Sequence, residues 1–553
     1  MQRTFTALAC LLVLSSCGVA PRPVAEEPWK TESELVTNIG FEPETIDPQK
    51  ATFATEIQAA MMVYEPLLTY DPATLTLLPA AARALPDVST DGRVYTYTLR
   101  PGLTYSDGVP LTAEHFANAW RRLCDPRSGG DFAFLAYLIE GCEKLNMLDR
   151  YRATAAEYDT ARSLIGVRAL DDVTIRFTLR EPAAHFPQIT ALSIGAPMRP
   201  PEVEHGRLQG AQGTELDRYV GNGPYRLVEW KRHERMVFER NERYRSPVRL
   251  LRWTKVMIRD SDVARRAYDD GRLDVLAVVP RTDAEREELL VRTDLRRSPG
   301  PCTSYVAFNT KAPPFDDERV RLAFAKALDK EEFARTVERT ARAAPSLVPH
   351  GQPSHAHDDR VQAFDPVVAR RLLTESGYGA PSGGRLGAPI RVLFSASPQQ
   401  TARAQWLIAQ WRAYLGVEII PDPVVAGGHG PLIKRGPSAL QIAIMGWCQD
   451  YPDGEAWYGA LFRKNGIASS RTQFDDPALV TLLDQAERER DPLERQLLFE
   501  RASSHASRTA SVAWLAWSEN WLLVRPEVKG YELTSFDSDF AQFSLARVYR
   551  SAP

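Results

Sequence analysis

Strand-type and helix-type hydrophobic patterns alternate along the whole of this chain. That alternation confines it to α/β or α+β domains, because each element must bury an apolar face against another layer. No fixed-period repeat and no low-complexity segment interrupts it. The most legible unit runs from Pro389 to Pro421. Ile390 to Phe394 reads as extended, a helix follows with Trp406, Leu407, Trp411 and Leu415 on one face, Gly416 stops it, and Val417 to Ile420 returns extended. A second helix starts at Asp365 as cap with Pro366 in its first turn, and Gly377 ends it. Tyr95 to Arg100 and Val173 to Leu179 alternate as strands do, each followed by Pro or Gly punctuation. These stripes read as core.

The amino terminus reads differently. Arg3 precedes an apolar run from Phe5 to Leu14, too short for a membrane-spanning helix of about 20 residues, and the pattern is that of a secretory signal, residues 1–16. The run ends Leu14-Ser15-Ser16-Cys17-Gly18, which resembles the lipobox of bacterial lipoproteins. That resemblance implies that Cys17 is lipidated and becomes the first mature residue. Residues 17–28, rich in Pro and Ala, then form a tether. The expected location is outside the cell membrane, in the periplasm or at the cell surface, held by the lipid. The body of the chain keeps about 535 residues, enough for two or three domains. The formal net charge is −3, with arginines scattered rather than blocked, so no nucleic-acid footprint is present.

Once Cys10 leaves with the signal and Cys17 carries lipid, Cys124, Cys142, Cys302 and Cys448 remain, an even number that suggests bridges in an oxidising compartment. There is no CxxC pair and no HExxH helix, hence no indicated metal site. His350, His355 and His357, followed by Asp358 and Asp359, read as a solvated loop. Neither a GxSxG elbow nor a phosphate loop appears, so no catalytic residue and no cofactor are expected. A hydrolase assembled from dispersed Asp and His residues stays as an alternative, since triads need not be sequence neighbours.

Leu99 to Pro126, LRPGLTYSDGVPLTAEHFANAWRRLCDP, resembles the signature of the family 5 extracellular solute-binding proteins, the oligopeptide- and dipeptide-binding proteins of ABC importers. Within it, Ser106-Asp107-Gly108 forms a turn and Thr112 can cap an amphipathic helix from Glu114 to Leu123. Further resemblances come in family order at Asn222 to Tyr225 (NGPY), Ala312 to Asp329 (APPFDDERVRLAFAKALD) and Gly446 to Glu455 (GWCQDYPDGE). The resemblance implies an α/β, two-lobed periplasmic-binding-protein-like fold with a hinge and three structural domains. Domain I would comprise 29–68, 193–301 and 517–553, domain II 69–192, and domain III 302–516. It also implies a monomer that captures short peptides and delivers them to ABC permease subunits. Non-peptide members, which bind metal chelates, haem or glycosides, keep a second reading open.

The family's ligand contacts carry over position by position. Asp450 matches the aspartate that pairs with a peptide's terminal ammonium, and Glu56 a glutamate on the opposite lobe. Tyr305 matches a tyrosine of the backbone channel, Trp447 an apolar wall beside the ammonium site, and Arg435 a basic residue near the ligand's carboxyl side. Each has a plainer reading as a turn carboxylate, a helix-face carboxylate, core aromatics or a solvated arginine. Cys302 and Cys448 match two cysteines that pair in oligopeptide-binding relatives; the resemblance does not address Cys124 and Cys142. Two departures bear on specificity: Ile444 stands where oligopeptide binders have an arginine, and Ala307 where they have a second glutamate.

Overall fold

A computed structural model of the chain describes residues 33–198, 219–356, 359–378, 389–424, 441–463, 474–536, 540 and 542–551. Its β-α-β unit forms because a bulky apolar face faces a sheet. The strand Ile390–Ser395 pairs in parallel with Ile419–Val424, and the helix Pro398–Leu415 joins them. Leu407 and Trp411 are buried in its face, Trp406 and Leu415 pack beside them, and Gly416 closes the helix at φ +68°. A residue with a Cβ is strained in that left-handed backbone, which is why glycine ends the helix. Asp365 caps Pro366–Glu375 by accepting from the Val368 N–H at 2.9 Å. Val94–Thr98 and Thr174–Thr178, the two strands read from alternation, pair antiparallel.

These pieces assemble into one eleven-stranded mixed sheet and a separate four-stranded one. The small sheet lies wholly within residues 69–192 and packs against the helix Ala113–Cys124, whose Phe116 and Trp120 are fully buried. In the large sheet, one half contains Glu34–Asn38, Arg252–Val256, Arg235–Arg240 and Tyr225–Lys231, and the other contains the β-α-β unit and Ile442–Cys448. Two long strands, Leu295–Phe308 and Val512–Val524, join the halves. Their antiparallel register runs from Leu295↔Leu523 to Pro299↔Glu519, then shifts before resuming at Thr303↔Trp517. Such an irregularity bends a strand and breaks its ladder locally. The strands therefore run unbroken through positions 301/302 and 516/517, where domains I and III were expected to meet, and the ladder is interrupted at that place.

The NGPY segment acquires a physical reason. Asn222 accepts from the Glu65 N–H at 3.0 Å and donates to the Glu65 carbonyl at 2.9 Å, while Gly223 donates to the Val63 carbonyl at 2.8 Å. A Cβ on Gly223 would lie 2.6 Å from the Val63 carbonyl carbon. The segment thus clamps the end of the helix Ala54–Val63. Among the described residues no helix is long and apolar enough to cross a membrane.

Candidate functional site

Where the two halves of the large sheet and the smaller sheet's body converge, they enclose a cavity of about 330 Å³, within the range of small-ligand sites. The helix Ala54–Val63 contributes Ile57, Gln58 and Met61; the 69–192 body contributes Phe132 and Leu135; the end of the strand Ile442–Cys448 contributes Cys448, Gln449 and Asp450. A carboxy-terminal segment adds Phe536 and Phe543, whose rings lie 5.8 Å apart.

Asp450 is the one charged residue lining this cavity among the described residues, and no hydrogen bond or ion pair holds its carboxylate. Burial alone pushes its carboxyl up to about 7 from 3.8, because no cation offsets the lost hydration. Its two neighbours are pinned. Gln449 donates its backbone N–H to the Pro301 carbonyl at 3.1 Å and accepts from Trp457 Nε1 at 3.1 Å. Tyr451 belongs to the hydrophobic core that also holds Phe116, Trp120 and Phe177, and it is stacked on His185 at 5.6 Å between centroids. The His185 imidazole is pushed down to about 4 by its own burial, so it is neutral at physiological pH. Next along, Asp453 forms a buried ion pair with Arg495. Asp450 therefore sits between fixed points.

Cys302 and Cys448 face each other in register and lie at disulfide distance, 2.03 Å between sulfurs, in the cavity wall. The second pair, which the sequence left open, is also at bonding distance: Cys124 and Cys142, with sulfurs 1.99 Å apart.

The other residues singled out from the sequence are placed elsewhere. Glu56 turns its carboxylate back onto its own helix start, accepting from the N–H groups of Thr52 at 2.8 Å and Phe53 at 3.1 Å, and is 3% exposed. Tyr305 is fully buried against Trp514 in the apolar cluster behind the strand. Trp447 packs on the same cluster and donates Nε1–H to the Ala456 carbonyl at 2.7 Å. Ile444 and Ala307 are likewise core. Arg435 and Cys17 lie outside the described residues, as do His357 and Asp358. His350 and His355 have ring centroids 4.3 Å apart, and no group of three or more His, Cys, Asp or Glu among the described residues is placed to hold a metal.

Sequence reasoning missed most of the wall. Phe132, Phe536 and Phe543 carry no motif signal, and only tertiary packing brings them together. It also missed a buried network that ties the helix Ala113–Cys124 to the segment leading into the helix Ala54–Val63. Arg122 donates to Asp47 Oδ1 at 2.7 Å and to Gln49 Oε1 at 2.8 Å, and Gln49 Nε2 donates to the carbonyls of Ile194 at 2.9 Å and Ala196 at 3.0 Å. Asp47 has lost all contact with solvent, so this charge pair is one whose breakage strands a buried charge.

Similarity to known proteins extends over nearly the full chain. The periplasmic murein peptide-binding protein MppA of Escherichia coli is 26% identical over 547 residues, covering 97% of each chain. The periplasmic oligopeptide-binding protein OppA of Salmonella typhimurium is 25% identical, with 95% of this chain and 94% of that one covered. The probable deoxycholate-binding periplasmic protein YgiS of Escherichia coli is 26% identical, with 95% and 96% covered. The solved unliganded open form of MppA superposes with a TM-score of 0.79 at 25% identity, covering 94% of this chain and 97% of that one. This is the two-lobed α/β architecture of periplasmic peptide-binding proteins. The family model described as bacterial extracellular solute-binding proteins, family 5, matches residues 76–469, so the chain belongs to that family.

Proposed function

We propose that this protein is the substrate-binding lipoprotein of a peptide ABC importer, capturing short peptides by their backbone and terminal ammonium. One observation carries the reading: a lone, unpaired carboxylate, Asp450, in an otherwise uncharged cavity. Such a group is costly to keep charged there until a cation arrives. An α-ammonium is the cation that every unblocked peptide presents. Tyr305 and Trp447 then act from behind, as the packed base of the strands that carry Asp450 and the Cys302–Cys448 bridge. The strand pair Leu295–Phe308 and Val512–Val524 is the hinge between domains I and III in this reading, and the three-domain division rests on it.

Non-peptide ligands in the same family form the second reading, which the apolar wall favours. An anionic apolar ligand is disfavoured, however, because it would bring its charge to Asp450. Mass spectrometry of ligand released from freshly purified protein, followed by calorimetric titration with free-amino and N-acetylated forms of one peptide, tests the reading. Peptides should be released, and acetylation should weaken binding at least a hundredfold. Tight binding of the acetylated form would reject it.

A further inference from the structure

Resting on the peptide reading, we propose that the Asp450 cavity selects the ligand's first residue for a large apolar side chain. The charge inventory argues first. Asp450 supplies one negative charge, and no Lys, Arg or His lines the cavity among the described residues, so an acidic first side chain would meet only Asp450. A carboxylate there would be desolvated beside a like charge, which is strongly unfavourable.

The shape and lining argue second. Phe132, Leu135, Met61, Phe536 and Phe543 converge from three separate parts of the chain onto the space beside Asp450. Phe132, Phe536 and Phe543 are only half-buried and line the cavity. Covering them with an apolar side chain removes that surface from water on both partners, which is the main source of affinity available in such a site. The polar groups in the wall, among them Gln58, Ser193 and Gln542, carry no charge and are too few to hydrate a charged or strongly polar side chain. The arrangement differs from a hydrated pocket that accepts any side chain, in which bridging water would adapt to each ligand.

A series of tripeptides X-Gly-Gly with free amino ends, X being Phe, Leu, Ala, Ser or Glu, titrated calorimetrically into the full protein at pH 7.5, reads this directly. Phe and Leu should bind at least tenfold more tightly than Ser, and Glu most weakly. Phe132→Ala and Phe543→Ala should each reduce the Phe-to-Ser affinity ratio at least threefold while leaving the circular dichroism spectrum unchanged. Should one variant unfold, the ratio in the other decides. Equal affinities across X, or ratios unchanged in a folded variant, would overturn the selectivity while leaving peptide capture intact. Failure of every free-amino peptide to bind would overturn both.

Discussion

Replacing Asp450 with Asn keeps the side-chain size and removes the charge, and the structure gives that exchange opposite consequences for ligand and for stability. The carboxyl is displaced from 3.8 to about 7 by burial alone. At about 1.4 kcal/mol per unit, the displacement corresponds to about 4 kcal/mol for keeping the carboxylate charged without a partner, and solvent at the cavity mouth lowers that figure. Because the folded value lies above the unfolded one, this group's contribution to stability is fully present below pH 3.8 and is lost as pH rises through about 7. At pH 7.5 the ligand-free Asp450→Asn protein should therefore melt at a higher temperature than wild type, and at pH 4 the two should coincide. Binding runs the other way. An arriving α-ammonium restores the carboxylate, so the wild type should bind a free-amino peptide at least a hundredfold more tightly than the variant at pH 7.5. Below pH 7 it must release a proton to do so, and its affinity should fall by up to tenfold per pH unit toward that of the variant. Titration calorimetry in buffers of different ionisation enthalpy measures both affinity and proton release. Equal affinity of the two proteins at pH 7.5, or binding near pH 6 without proton release, would refute the reasoning.

Four further outcomes are expected. Glu56→Gln should cost about 1 kcal/mol in urea unfolding, the worth of a helix cap, and leave peptide affinity within twofold; a tenfold loss would place Glu56 against the ligand instead. Cys302→Ser with Cys448→Ser opens a loop of sequence separation 146, lowering stability by up to about 5 kcal/mol in the chain-entropy model, and non-reducing peptide maps of the exported wild type should show both bridged pairs. Gly223→Ala forces a Cβ onto the backbone of Val63 and should cost about 1 to 3 kcal/mol or more, seen as a lower urea midpoint. Under the proposed lipoprotein reading, Cys17→Ser should move the protein from the membrane fraction to the soluble exported fraction, since that residue would carry the acyl chains.

Local chemistry was legible in the sequence wherever one residue type has one physical use. Asp365 and Pro366 announced a helix start and Gly416 a helix stop, since capping and left-handed backbone depend on neighbours in the chain. The Trp411 face and the two alternating strands came from periodicity alone, which is set by the geometry of a single element. The motif order from Leu99 to Glu455 carried the family and the pairing of Cys302 with Cys448. Carboxylates were not legible in the same way. Asp450 and Glu56 read alike as candidate ligand groups, yet one hangs unpaired in a cavity and the other closes its own helix. The N–H groups that hold Glu56 come from its own helix start, whereas the desolvation of Asp450 depends on packing between segments hundreds of residues apart. The aromatic wall is the extreme case: Phe132 and Phe543 become neighbours of one cavity only when the separate bodies meet. The sequence by itself determined the elements, their caps and the family. The tertiary structure alone decided which charge is left without a partner, because solvation is a property of the assembled surface and not of the residue.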